Sequence, residues 1–288
     1  MPIATVTPIT PITIDDVVRH IRDLPSLPAA VIELLSVMDR DDVDTHALGA
    51  RIALDQSLTA KTLRLANSSF YGVQSKVTSI AQAVSVLGFR SIRTLVTACA
   101  VTNSFPASAC ASLNFQAFWR HSVATGVCAQ LLARRLKVNP DVAFTAGLLH
   151  DIGALVLATR FPSQYGQMLA YRAEHDCSII DAEQAVFGLD HALVGSTLSA
   201  WWKFPQPMHS AVASHHLDCG AATPALDLVV HAANTLAHAL DLSEVEDDLV
   251  PVLSDGVWQT LALSEADCMI LFKDAETTFH EMCQVLIT

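Results

Sequence analysis

The 288-residue sequence is poor in charged and aromatic side chains, which make up 16% and 6% of it, whereas 51% of its residues are hydrophobic. Alanine and leucine dominate, and no segment alternates between polar and apolar residues as a half-buried strand does. We therefore predict an all-α fold. The length allows one large domain or two modest ones.

Motifs for several common chemistries are missing. The seven cysteines are scattered without Cys-x-x-Cys spacing, so the sequence indicates neither a disulfide framework nor a zinc knuckle. It contains no glycine-rich phosphate loop and no Gly-x-Ser-x-Gly nucleophile signature. Acidic residues outnumber basic ones by 29 to 17, and the net charge of −12 argues against a nucleic-acid partner.

Targeting signals are missing as well. The first residues have neither a charged n-region nor a long apolar core, so we predict no signal peptide. No apolar run reaches membrane-spanning length without a charge or a breaker. We therefore expect a soluble, cytoplasmic protein with no membrane partner.

The chain divides into two predicted helical subdomains. Residues 1–13, with three prolines and four threonines, form a predicted loose leader. A first helical subdomain covers 14–104, and a softer connection covers 105–114. The second helical subdomain covers 115–288 and ends in a helix that we expect to begin at about Ser264, where a capping box is spaced correctly.

The second subdomain is organised around the stretch Ala143–Leu157. This stretch is apolar apart from the adjacent pair His150-Asp151, and such a pair is costly in an apolar run unless something satisfies it. We predict one buried helix here. Neighbouring side chains on a helix diverge by about 100°, but one ion beside the helix can be reached by both, and Gly147 and Gly153 leave room for groups to approach.

Twelve histidines are many for this length, and several fall on successive predicted helices. Taken singly, each histidine is more simply a core residue bonded to a carbonyl group. Imidazoles combined with one carboxylate, however, are ligands that borderline transition metals favour, and Asp151 could bridge two ions. The candidate ligands for one or two divalent ions of iron, manganese or zinc are His121, His150, Asp151, His191, His215, His216 and Asn234.

The order of these residues resembles the HD superfamily of metal-dependent phosphohydrolases, and its spacing looks closest to the HD-GYP branch, which hydrolyses cyclic di-GMP. The segments LPSLPAAVIELL, IALDQSLTAKTLRLANSSFYG and SIAQAVSVLGFRSIRTLV resemble the HDOD family, an HD-related output domain. The resemblance runs from about Leu24 to His238. It implies an N-terminal helical subdomain packed on an HD-like helical subdomain, in a bacterial regulatory protein of a family generally regarded as lacking hydrolase activity.

Several positions depart from the hydrolase pattern. The HD motif ends in an aspartate ligand where this sequence has Asn234, and a neutral amide cannot balance the charge of a cation. Ala154 replaces a lysine of the HD-GYP branch, and Ala117 replaces a glutamate one turn before the first histidine. The loop after His216 contains no Gly-Tyr-Pro sequence. These departures point to a degenerate site.

Two further groups of residues have competing interpretations. Arg120 is a candidate for binding a phosphate group, because phosphate esters need cationic partners and few cationic side chains lie near the candidate ligands. Phe70 and Tyr71 are candidate anchors for a protein partner. The simpler interpretation is that these two aromatic residues pack into the core between the subdomains.

Three functions follow from this sequence. The leading hypothesis is a regulatory module without hydrolase activity, linked to cyclic di-GMP, motility or stress signalling. Its partners would be signalling proteins such as a diguanylate cyclase, a kinase or a response regulator. The sequence leaves open whether the protein forms a homodimer. The alternatives are a metal-dependent phosphohydrolase of cyclic dinucleotides or nucleotides, and a metal- or nucleotide-sensing switch without turnover.

Overall fold

The computed structural model describes residues 11–23, 31, 49–50, 52–53, 56–67, 76–105, 110–220, 222–244 and 249–287. Every regular element within these residues is a helix, which confirms the predicted all-α class. In chain order the helices are α1 (Ile14–Arg22), α2 (Gln56–Ala66), α3 (Ile80–Ser104), α4 (Phe115–Ala133), α5 (Pro140–Leu149), α6 (Ile152–Arg160), α7 (Pro162–His175), α8 (Ile179–Phe187), α9 (His191–Trp201), α10 (Gln206–Ser214), α11 (Ala225–Ala239), α12 (Asp255–Leu261) and α13 (Glu265–Leu286).

Side-chain caps set the starts of α5 and α13. Asn139 accepts hydrogen bonds from the backbone N–H groups of the first turn of α5, and Pro140 occupies that turn. At the start of α13, Ser264 and Asp267 form a reciprocal capping box. The predicted start of the last helix is therefore confirmed.

The single helix predicted over Ala143–Leu157 is wrong, because the chain breaks at the polar pair. His150 keeps helical dihedral angles, but Asp151 has φ −97° and ψ 11°, and α6 begins after it. On a continuous helix the two side chains would diverge by about 100°. The break changes the direction of the Asp151 side chain, so that the side chains of His150 and Asp151 reach the same buried region.

The apolar stretch Pro140–Arg160, which spans this break, has the length and composition of a membrane-crossing helix. In the structure, 78% of its most apolar window is buried inside the protein. Its apolar residues therefore form part of the protein core, and other helices pack against both α5 and α6.

The packing order brings the histidine-bearing helices together. α4 packs against α5 and α11, α9 packs against α6 and α10, and α10 packs against α11. The C-terminal helix α13 lies on α4 and also contacts α2 and α3. One continuous apolar core joins these elements, and the division into two subdomains stays a prediction.

Glycines allow two close helix crossings. A Cβ atom on Gly147 would lie 2.9 Å from the Cα atom of Gly126 on α4, and a Cβ atom on Gly153 would collide with the carbonyl oxygen of His191. The same Cβ atom would lie 2.5 Å from the backbone nitrogen of Gly195 on α9. The backbones of α5 and α4 therefore pack closely before the His150-Asp151 pair, and those of α6 and α9 pack closely after it.

Candidate metal centre

The Asp151 carboxylate is the centre of a cluster of imidazoles. Its Oδ1 atom lies 3.1 Å from Nε2 of His191 and 3.2 Å from Nε2 of His215. Nε2 of His150 lies 3.3 Å from the same oxygen, and Nε2 of His121 lies 3.6 Å from Oδ2. Four imidazoles from α4, the α5–α6 junction, α9 and the end of α10 thus meet one carboxylate.

The imidazoles also approach one another through their Nε2 atoms. These atoms are 3.2 Å apart in His121 and His150, 3.2 Å apart in His191 and His215, and 3.0 Å apart in His191 and His216. His150 and His215 are fully or almost fully buried, and His121 and His191 are nearly so. The structure therefore brings together six of the seven candidate ligands as one buried cluster.

Backbone groups fix the orientation of two of these rings. Nδ1 of His150 lies 2.7 Å from the carbonyl oxygen of Gly147, and Nδ1 of His215 lies 2.7 Å from the carbonyl oxygen of Val212. A carbonyl oxygen can only accept, so each Nδ1 carries the proton and donates it. In the neutral ring the lone pair is then on Nε2 and points into the cluster.

His191 is held by a carboxylate instead. Oε2 of Glu183 accepts from both the backbone N–H and Nδ1 of His191, each at 2.8 Å, and Glu183 is 1% exposed. Sequence reasoning missed Glu183. The available signal was an acidic residue among the apolar positions of α8, beside Ala182 and Val186, where an unpaired charge is not stable.

The cluster offers two groups of donor atoms, each within 4.8 Å. The four-donor group consists of Asp151, His191, His215 and His216, and the three-donor group consists of His121, His150 and Asp151. Asp151 belongs to both groups, so its carboxylate is placed to bridge two ions.

This donor set fits transition-metal ions. Imidazole lone pairs that face each other at 3.0–3.2 Å repel unless a proton or a cation lies between them. Two nitrogens bound about 2.1 Å from one tetrahedral ion are about 3.4 Å apart, which is close to the observed spacing. Oδ1 of Asp151 is buried and has three imidazole Nε2 atoms within 3.1–3.3 Å, as an oxygen that binds a cation together with imidazole ligands would.

The electrostatics of the cluster favour the protonation states that ligands need. Burial opposes the charge on Asp151, but His150 and His191 hold the pKa of its carboxyl well below the usual range. Burial lowers the pKa of His215 to about 4. Burial and the neighbouring His215 also lower the pKa of His216. At neutral pH these residues provide one anion and neutral imidazoles, which is the ligand state of a metal site.

His191 differs from the other rings in its charge. Burial alone would lower its pKa, but Glu183 and Asp151 raise that pKa well above the ordinary value. In the metal-free protein a proton on His191 therefore neutralises part of the charge of the two carboxylates. A metal ion that binds there competes with this proton.

Asn234 lies on the face of α11 that is turned toward the cluster. On the same helix, Nδ1 of His231 donates to the carbonyl oxygen of His215 at 2.9 Å, and the ring of His238 lies 4.4 Å from the ring of His121. Asn234 falls between these two histidines and is 2% exposed. Its Oδ1 is buried and makes no hydrogen bond within the described part of the chain.

The other candidate residues lie elsewhere. The Arg120 guanidinium donates to the carbonyl oxygen of Leu242 at 3.0 Å and to Glu244 at 2.6 Å, and it lies over the ring of Phe279. It lines a separate cavity of about 660 Å³ beside α13. Phe70 and Tyr71 lie outside the described residues, so their role as partner anchors stays a prediction.

A family model described as the HDOD domain matches residues 24–217. This span contains the six clustered candidate ligands and ends one residue after His216, so Asn234, α12 and α13 lie beyond it. The matched span covers about two thirds of the chain.

Two solved structures share the fold. An HDOD domain protein of unknown function from Geobacter sulfurreducens is 23% identical with a TM-score of 0.74, covering 95% of this chain and 98% of that one. A provisionally named phosphohydrolase from Shewanella amazonensis SB2B is 27% identical with a TM-score of 0.68, covering 90% and 97%. An uncharacterized protein of Treponema pallidum is 24% identical over 199 residues, which are 68% of this chain but only 38% of that protein.

Proposed function

The chain belongs to the HDOD domain family, and from this premise we propose that it is a regulatory protein whose HD-like half binds one or two divalent transition-metal ions. In this proposal the bound ions set the packing of the surrounding helices, and partner proteins sense that packing. The observation that carries the proposal is that five imidazoles gather around Asp151, with three pairs of their Nε2 atoms 3.0–3.2 Å apart.

The ligands would be His121, His150, Asp151, His191, His215 and His216. Imidazole and carboxylate donors suit iron, manganese and zinc, and the geometry does not choose among these. When bound, such an ion supplies Lewis acidity and can hold a hydroxide. The protein's own contribution is to aim the Nε2 atoms at the cluster, through the carbonyl groups of Gly147 and Val212 and through Glu183.

Regulation without turnover is favoured by what surrounds the cluster. A phosphate ester requires cationic groups at its oxygens, but the Arg120 guanidinium is engaged by Leu242 and Glu244. Asn234 supplies no charge to balance a second ion. The Asp151 side chain is only 19% exposed, which leaves little room for a substrate to reach a bound ion.

A relay route is available through α4. This helix carries His121, packs on α5 and α11, and contacts the C-terminal helix α13, which in turn contacts α2 and α3. Ions that tie α4 to α9 and α10 would therefore bias its packing toward the N-terminal helices. A switch requires that the ions bind the two packings with different affinities.

The partners proposed for this relay are cytoplasmic signalling proteins such as a diguanylate cyclase, a kinase or a response regulator. The proposal includes a link to cyclic di-GMP, motility or stress signalling in a bacterium. It also includes the alternative that a second copy of the chain is the partner. A pull-down of each candidate with metal-loaded and metal-free protein would test this part, and metal-independent capture would contradict it.

A phosphohydrolase acting on a cyclic dinucleotide or nucleotide is the second candidate. The observation in its favour is that six ligand positions are occupied by suitable donors and converge, and the similar Shewanella protein carries a provisional phosphohydrolase name. Hydrolysis of cyclic di-GMP and of bis(p-nitrophenyl) phosphate by metal-loaded protein tests it. We expect no turnover above that of His150→Ala, and turnover well above that background would replace the regulatory proposal.

The metal content of purified protein tests the proposal itself. We expect about one or two equivalents of iron, manganese or zinc, and loss of that metal in His150→Ala. The matched control is His280→Ala, because His280 is exposed on α13 and bonds only within its own helix. A wild-type protein that folds, is offered each metal and binds none would contradict the proposal.

A further inference from the structure

We infer that Glu183 is a positioning residue that makes the four-donor group the tight metal position, so that the first ion binds there and the second ion binds more weakly at the three-donor group. This inference rests on the proposed function. It concerns the order in which the two halves of the cluster fill and names the residue responsible for that order.

Glu183 contacts His191 through two hydrogen bonds. A single oxygen of its carboxylate accepts from the backbone N–H of His191 and from Nδ1 of the same residue. His191 is the first residue of α9, where backbone N–H groups have no partner within the helix. One side chain therefore fixes both the start of α9 and the orientation of the imidazole.

The connection between the two helices holds Glu183 in place. α8 ends at Phe187 and is capped by Gly188, whose φ of 78° is left-handed. Asp190 caps α9 by accepting from the backbone N–H of Leu193. Gln184, the neighbour of Glu183, donates to Asp190 at 2.8 Å. The distance between Glu183 and His191 is thus set by a short connection with its own hydrogen bonds.

The two donor groups receive different amounts of negative charge. An ion in the four-donor group is balanced by Asp151 directly and by Glu183 through His191. In the three-donor group the ring of His150 is oriented by the neutral carbonyl group of Gly147, and Asp151 is shared. A carboxylate behind a histidine ligand raises the basicity of that ligand, so the four-donor group is the stronger one.

Glu183 also has one oxygen atom that does not contact His191. Its Oε1 atom is buried and has no hydrogen-bond partner in the described ranges. A buried carboxylate with one unpaired oxygen is stable only near positive charge. A metal ion bound to His191, which the other oxygen of Glu183 holds, provides this charge.

The test is titration of the metal-free protein with Co²⁺, followed by calorimetry and by visible absorption. We expect two steps, with the first step weakened about 10- to 100-fold in Glu183→Gln and the second step unchanged. Gln has the same shape and can still accept both hydrogen bonds, so this variant removes only the charge. Glu174→Gln, at an exposed position on α7, is the matched control and should titrate like the wild type.

Ligand variants assign the steps independently of Glu183. His216→Ala should weaken the first step, and His121→Ala should remove the second step and leave the first intact. If Glu183→Gln does not fold, these two variants still decide the order of filling. A first step that survives His216→Ala but not His121→Ala would overturn the inference.

The outcomes separate the inference from the proposed function. A folded wild-type protein that binds no Co²⁺ would contradict the proposed function. Two steps that Glu183→Gln weakens equally, or leaves unchanged while the variant stays folded, would overturn the inference and leave the proposed function standing.

Discussion

His121 and Arg120 are adjacent on α4, but their side chains lie in different surroundings. One nitrogen of the Arg120 guanidinium donates to a carbonyl oxygen and to a carboxylate, and the guanidinium lies over an aromatic ring. The His121 ring belongs to a cluster in which imidazole Nε2 atoms face one another around the Asp151 carboxylate. An ion pair that joins distant parts of the chain indicates a structural role, whereas imidazole nitrogens gathered around one carboxylate indicate a cation site.

The most disruptive test of this comparison is Gly153→Ala. The added Cβ atom would collide with the carbonyl oxygen of His191 and lie 2.5 Å from the backbone nitrogen of Gly195, and neither backbone atom can move aside cheaply. We expect a loss of about 3 kcal/mol in the free energy of unfolding together with loss of bound metal. Urea denaturation and elemental analysis measure both effects.

Gly220→Ala is the control for that substitution, because a Cβ atom at Gly220 would have no heavy atom within 4 Å. It should change neither stability nor metal content. If Gly153→Ala behaved like this control, α6 and α9 would not cross as closely as the structure places them, and the cluster geometry would be wrong.

Asn234→Asp tests whether the cluster lacks charge. The amide oxygen is buried on the face of α11 turned toward the cluster, so a carboxylate there would add a negative charge near a bound ion. We expect tighter metal binding, by about tenfold, measured by competition with a chelator. If the site lacks activity only because Asn234 and Ala154 replace an aspartate and a lysine, the double variant Asn234→Asp/Ala154→Lys should have a higher phosphodiesterase activity than the wild type.

Arg120→Gln tests the other side of the comparison. We expect it to lower the free energy of unfolding by about 1 kcal/mol, because the bonds to Leu242 and to the exposed Glu244 are lost. Metal content should stay the same, since the guanidinium is engaged at α13. A loss of metal without a loss of stability would show that Arg120 serves the cluster.

The smallest effect is expected at Asp267, far from the cluster. Its hydrogen bonds to the Ser264 side chain and backbone hold the pKa of its carboxyl below the ordinary value of 3.8. A folded-state pKa below the unfolded one means that the ionised carboxylate stabilises the protein above pH 3.8 and that this contribution is lost as the pH falls through the lowered value. Asp267→Asn should therefore lower Tm at pH 7 but not at pH 2, with metal content at pH 7 unchanged.

Much of this arrangement follows from the sequence, and the exceptions share one cause. The all-α class and the start of the last helix are predictable, because composition and capping residues act locally. The break at Asp151, the contact of Glu183 with His191 and the contact of Arg120 with Glu244 are not. Each of these depends on segments that meet only in the folded protein, as the sequence separation of 124 positions between Arg120 and Glu244 illustrates.

Asn234 also shows what residue type alone leaves open. The sequence identifies a neutral amide where the resemblance expects an aspartate, but it does not say whether the side chain is near the other ligands. The histidines on either side of it on α11 contact His215 and His121, and this places Asn234 beside the cluster. Because the amide oxygen is buried there, metal binding by Asn234→Asp measures the effect of the missing negative charge.

The most direct test of the central claim is X-ray absorption spectroscopy at the edge of the metal that the purified protein contains. We predict a first shell of nitrogen and oxygen atoms at about 2.0–2.2 Å, with the outer-shell scattering of at least three imidazole rings, and its loss in His150→Ala. A bound metal whose spectrum lacked imidazole scattering, or did not change in His150→Ala, would contradict the assignment of this cluster as the metal centre.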